Sequence, residues 1–208
     1  MNRHIIHQIS TCVLVGGLLP SNASASDEHE KDLSVTVFAG PNAKGFEHTK
    51  LSYKDGDQKL LAATVGWTPI DGPLNLKLGI EGGVAIRKDG DTYAEGGTSQ
   101  ELWFGPKIRH HGIKLGPVIV KPAITVGFSF VTESNGLERA REIRDSGEAS
   151  FIYYAGPELA LSPKSKSNLE LVGRIHHRSG AERVSYMPTI GKTGDSNNAN
   201  LLGLRYRF

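Results

Sequence analysis

The sequence is almost without cysteine: among 208 residues the only one is Cys12. It lies in an N-terminal stretch that reads as a leader, so the remainder has neither a disulfide framework nor a thiol nucleophile. Charge of one sign is lacking too. Lys and Arg total 24 against 22 Asp and Glu, a formal net charge of +2, which removes the electrostatic argument for a nucleic-acid partner. No segment reaches the roughly 20 apolar residues that a spanning helix needs. Neither a dinucleotide fingerprint nor a phosphate-binding loop is present. Long runs of strong helix formers are few, whereas glycine is abundant at 25 residues, a balance that favours β-structure with many turns.

Residues 1–25 combine Arg3 and His4, the apolar run Cys12 to Leu19, and Ala23-Ser24-Ala25. A basic start, a short apolar core and a small-residue site read as a cleaved secretory signal, with cleavage near Ala25. The expected mature part is residues 26–208, one domain.

The dominant pattern along that part has period two, which sends alternate side chains to opposite faces of a strand. Leu74, Leu76, Leu78, Ile80, Val84 and Ile86 alternate with Asn75, Lys77, Glu81, Ala85 and Arg87. Val118 to Phe130 and Leu202 to Phe208 sort in the same way, and weaker versions occur at 33–40, 60–68, 100–109, 148–161 and 169–179. The expectation is an all-β fold, an eight-stranded antiparallel transmembrane β-barrel. Its small and charged residues, among them Glu81, Lys121, Glu158 and Arg174, would fill the lumen while the aliphatic face meets lipid. A lipocalin-like barrel would reverse the faces and expose those charges.

The connections alternate long and short: 41–59, 69–73, 88–99, 110–114, 132–147, 162–167 and 180–197. Outer-membrane barrels have short periplasmic turns and long external loops, so 180–197 would be external. Trp67, Trp103, Tyr153 and Tyr206 are candidates for interfacial girdles, and the closing Tyr206-Arg207-Phe208 looks like an outer-membrane assembly signature. Residues 138–144 read as a solvated loop with a basic bias in preference to one or two helical turns. Lys88-Asp89-Gly90-Asp91 with Glu95 reads as a turn sooner than a calcium loop, and His110-His111 lacks a spaced third ligand for zinc.

Chemistry concentrates in the seventh strand, 169–179. Counting by two puts His177 and Ser179 on the lipid side, at the end that rises to the external rim. Two such residues have Cα atoms roughly 6.5–7 Å apart, and imidazole can take a serine proton to create a nucleophile toward an ester. The plain alternative is that both occupy the polar interface. The stretch Arg174-Ile175-His176-His177-Arg178-Ser179-Gly180, then Gly194-Asp195-Ser196-Asn197-Asn198 and Leu202 to Phe208, resembles the end of the outer-membrane lipid A 3-O-deacylase (PagL-like) family. That resemblance implies an esterase that removes an ester-linked acyl chain from lipid A of lipopolysaccharide, without cofactor or metal, at the outer membrane of a Gram-negative bacterium. His177 would be its general base and Ser179 its nucleophile. The third member would be Asp195, with Glu182 and Asn198 as alternatives. The sequence departs from the family where Gly180 follows the serine in place of Asn, and where Ser196, Asn197 and Asn198 stand in place of a carboxylate. A non-catalytic small barrel with a surface or adhesion role is the other expectation.

Overall fold

The computed structural model describes residues 32–43, 59–88, 97–134, 136–164, 167–181, 187–191 and 196–208. The proposed leader, the Asp89–Glu95 acids, Glu182 and Asp195 lie outside the described residues. The strands are β1 (Leu33–Ala43), β2 (Lys59–Gly72), β3 (Leu76–Lys88), β4 (Thr98–His110), β5 (Ile113–Leu115), β6 (Val118–Val131), β7 (Phe151–Pro163), β8 (Leu169–Ser179) and β9 (Ser196–Arg207). Among the described residues one helix occurs, α1 (Gly136–Asp145), between β6 and β7.

All pairings are antiparallel, and β4 and β5 both pair with β6, one after the other along the same edge. They therefore serve as a single stave, and the sheet closes as an eight-stranded barrel. The seam is β1 against β9, from Ser34 opposite Arg207 to Ala43 opposite Asn198. It is stitched on the inside by Arg205 Nε donating to Thr36 Oγ1 at 2.9 Å. Among the described strands closure leaves no free edge, which is what lets a β-structure sit in hydrocarbon with its backbone satisfied.

Alternation decides which side chains are buried. Val37, Leu61, Val65, Ile80, Phe104 and Leu202 stand exposed on the outer wall, while Thr36, Thr64, Glu81, Lys107, Arg174 and Arg205 are buried inside. The aliphatic face is outward and the charged face inward, so the lipocalin arrangement does not hold. Among the described residues no helix is long and apolar enough to cross a membrane; the apolar belt belongs to strands.

The charged centre of the lumen is tolerable because its carboxylates and cations neutralise one another. At mid-height Arg174 donates to both oxygens of Glu81, each at 2.7 Å, and to Glu158. Lys107 Nζ joins the same two carboxylates at 2.6 and 2.8 Å, and Arg205 reaches Glu158 at 2.7 Å. Near the turns, Lys121 pairs with Glu170 and Lys77 with Asp32.

Three expectations need correction. Trp103 is no girdle residue: it is fully buried in the lumen, edge-on to His176, in space left by Gly83, where a Cβ would lie 2.2 Å from its ring. Residues 136–145 are helical and not a solvated loop, because Glu138 is drawn into the barrel mouth by Arg87 and Arg178. The connection expected at 69–73 is a tighter turn, Pro73–Asn75. Leu74 and Asn75 both have positive φ, at 59° and 58°, and Leu76 N donates to Pro73 O, the primed turn that matches strand twist. Trp67 and Tyr206 do face outward.

Candidate active site

β8 carries two jobs on two faces. Leu169, Leu171 and Gly173 are exposed, and Glu170, Val172, Arg174, His176 and Arg178 are buried in the lumen, with His177 and Ser179 continuing the outward series as half-buried residues. The count by two therefore places both on the outer wall, at the loop end of the barrel. Register then brings in a partner from β9: His177 lies opposite Asn198, and Ser179 opposite Ser196.

His177 Nδ1 and Asn198 Oδ1 are 2.6 Å apart. With a carbonyl oxygen as acceptor, Nδ1 carries the proton and Nε2 keeps its lone pair. Asn198 is on the outward row yet almost wholly buried, so this hydrogen bond is shielded from water and holds the ring in one orientation. Of the three residues considered for the third position, Asn198 is the one the structure places against His177; Asp195 and Glu182 lie outside the described residues.

Ser179 Oγ accepts a hydrogen bond from Ala181 N at 3.1 Å. Ala181 has φ 58°, a left-handed conformation just past the end of β8. Residues 187–191 return to the same place: Ile190 N donates to Gly180 O at 2.9 Å, and Tyr153 Oη donates to Pro188 O at 3.1 Å. Tyr153 is Ser179's neighbour on β7, and beyond it Phe128 stacks on both Tyr153 and Phe151. The serine thus sits where a turn, a loop strand and an outward aromatic cluster meet.

Behind the wall the residues between and beside these groups are braced. Arg178, between His177 and Ser179, donates to Glu138, to Ser129 Oγ at 2.9 Å and to Ala149 O at 2.9 Å. Asn197, beside Asn198, donates to Glu138 Oε1 at 3.2 Å. One carboxylate on α1 therefore ties down β8 and β9 at the height of the site. Burial alone would raise the Glu138 carboxyl, but the Arg178 and Arg87 guanidinium groups hold it below the usual carboxylate range. Nothing in the local sequence announces this brace, since its members lie 40 and 59 positions apart. The deeper His176 faces the lumen and bonds Glu101 at 2.8 Å, so it is no part of the outward set. Near the turns, His110 Nδ1 accepts from Gly112 N, and among the described residues no cluster of three or more metal-type ligands occurs.

No protein-family model matches the chain, and no curated protein matches it by sequence. Solved structures do. The chain is similar to the outer membrane enzyme PagL, with 13% identity, a TM-score of 0.56, and 84% of this chain and 99% of that one covered. It is also similar to Neisserial surface protein A, with 10% identity, a TM-score of 0.49, and 85% and 97% covered, and to Ail of Yersinia pestis, with 14% identity, a TM-score of 0.38, and 86% and 99% covered. At these identities the likeness is one of fold: a closed eight-stranded antiparallel β-barrel of the outer-membrane kind.

Proposed function

We propose that this barrel sits in the outer membrane of a Gram-negative bacterium and hydrolyses an ester-linked acyl chain of lipid A at its outer wall. The observation that carries the reading is the shielded His177–Asn198 hydrogen bond on the same outward face as Ser179. A polar His and Ser in that position face lipid, where unpartnered polar groups are disfavoured, and a lipid ester is the chemistry such a pair can use.

In this mechanism Asn198 fixes the tautomer and His177 Nε2 takes the Ser179 hydroxyl proton as Oγ attacks the ester carbonyl. An amide orients the catalytic imidazole in Cys-His-Asn enzymes in the same way. The Ala181 N–H, which at rest donates to Oγ, and that of Gly180 are the donors this reading assigns to the developing oxyanion. Collapse breaks the bond to the sugar oxygen, which leaves with the proton from His177. Water, deprotonated by His177, then frees the acyl chain from Ser179. No metal or organic cofactor enters these steps.

The test is lipid A mass spectrometry of a Gram-negative host that expresses the protein in its outer membrane. Wild type should release one hydroxyacyl chain; Ser179→Ala and His177→Ala should release none, and Asn198→Ala at least tenfold less. Lipid A left intact by wild type overturns the reading. The Ser179–Ala181 bond favours a second one, in which the hydroxyl merely closes a turn and the barrel is a non-catalytic surface or adhesion protein. Loop deletions would then change cell-surface binding while lipid A stays constant.

A further inference from the structure

A groove of about 400 Å³ opens on the outer wall across β1, β2 and β3, on the other side of the seam from His177 and Ser179. Small residues of β1, Ala39, Gly40 and Pro41, line one side of it, and Leu61 and Ile86 the other. Gly40 is needed there because β1 runs so close to β9 that a Cβ would lie 2.0 Å from Asn200 O. The volume is within the range of roughly 300–1,000 Å³ typical of small-ligand sites.

Its upper end is cationic. Lys59 and Lys88 line the groove and lie directly opposite each other in the β2–β3 register. Both are exposed, and neither has an ion-pair partner among the described residues. Like charges at directly opposed positions disfavour strand pairing, and every lysine in the lumen discussed above has its carboxylate. Here two lysines stand side by side at the loop end of an apolar slot.

We infer that this groove binds a lipid carrying a phosphate monoester, with one acyl chain between Leu61 and Ile86 and the phosphate between Lys59 and Lys88. The apolar slot fixes the tail and the lysine pair the head. A phosphate monoester carries close to two negative charges near neutral pH, which matches two ammonium groups; a phosphodiester carries one. Placement at the loop end puts such a lipid in the outer leaflet, given the outer-membrane location proposed above. The site is separate from the candidate ester-cleaving residues, since Lys59 and His177 are three strand spacings apart, roughly 14 Å across the wall.

The experiment uses the full-length protein carrying Ser179→Ala, reconstituted in zwitterionic nanodiscs and titrated with phosphatidic acid, phosphatidylglycerol, lipid A or inorganic phosphate, with bound lipid counted by native mass spectrometry. Phosphatidic acid and lipid A should bind more tightly than phosphatidylglycerol, and all binding should weaken with salt. Lys59→Gln with Lys88→Gln should weaken phosphomonoester binding roughly thirtyfold. Ala39→Phe, which fills the slot and leaves both lysines, should displace the lipids but spare any phosphate binding. Equal affinity for monoester, diester and zwitterionic lipids, or a double lysine variant that binds as wild type does, overturns the inference. So does binding of inorganic phosphate as tight as that of the lipids. Because Ser179→Ala is the background throughout, failure here leaves the esterase reading intact, and intact lipid A in the expression test leaves this one intact.

Discussion

Replacing Arg174 with Met removes the guanidinium that holds the middle of the lumen together while keeping most of the side chain's length. Arg174 contacts Glu81 through two hydrogen bonds of 2.7 Å, Glu158 through Nε at 3.0 Å, and Tyr154 Oη at 3.3 Å, and its guanidinium lies 4.6 Å from the centre of the Phe38 ring. Breaking a buried pair on one side costs about 3–5 kcal/mol, because the partner is left charged and dry. Glu81 retains Lys107 and Thr125, and Glu158 retains Lys107 and Arg205. The loss should therefore fall at the lower end, about 3 kcal/mol. Against a typical total of about 5–15 kcal/mol that is a large fraction. Removing the charge on both sides, Arg174→Met with Glu81→Gln, should return part of it, with a coupling of about 1–2 kcal/mol. Reversible urea unfolding in lipid vesicles, followed by tryptophan fluorescence, measures both, since buried Trp103 lies 5.5 Å from the Tyr154 ring. A loss under about 1 kcal/mol, or strictly additive effects in the double variant, would refute the claim that the lumen is held by mutual neutralisation.

Acid should loosen the mouth of the barrel before the wall. Glu138 has its carboxyl held below the ordinary range, so its stabilising contribution is present above that range and is lost as pH falls through the depressed folded value. Hydrogen exchange over 136–145 should rise on acidification in wild type, and Glu138→Gln should show the fast exchange already near neutral pH; an unchanged profile in the variant would contradict the brace. In the primed turn, Leu74 holds a left-handed φ that suits Asn or Gly far better. Leu74→Asn should therefore raise stability by roughly 1 kcal/mol, read as a higher urea midpoint at constant slope, and no gain would mean the turn is not strained.

The closed barrel was legible because period two records burial directly: a residue's parity tells whether lipid or lumen receives it. The same rule put His177 and Ser179 outside, and the structure keeps them there. Trp103 shares the inward parity of Glu101, Lys107 and Arg109, so position along the strand, and not aromatic character, decides where it goes. The His177–Asn198 contact was beyond that reach, since it depends on which residue of β9 faces His177 after the connection, and alternation alone does not set cross-strand register. The α1 brace was hidden for a related reason. A charged segment looks solvated until its counter-charges, Arg87 and Arg178, are known to converge on it from other staves.

The β1–β9 seam has a consequence for the chain's life before it is a barrel. Thr36 and Arg205, which meet across it, are 169 residues apart, so the strand that begins the sheet has to wait for the strand that ends it. Without β9, β1 and its neighbours would be an open sheet with two adhesive edges and a greasy outer face. The last strand is therefore the one that removes both edges, and any chain cut short of β9 keeps them.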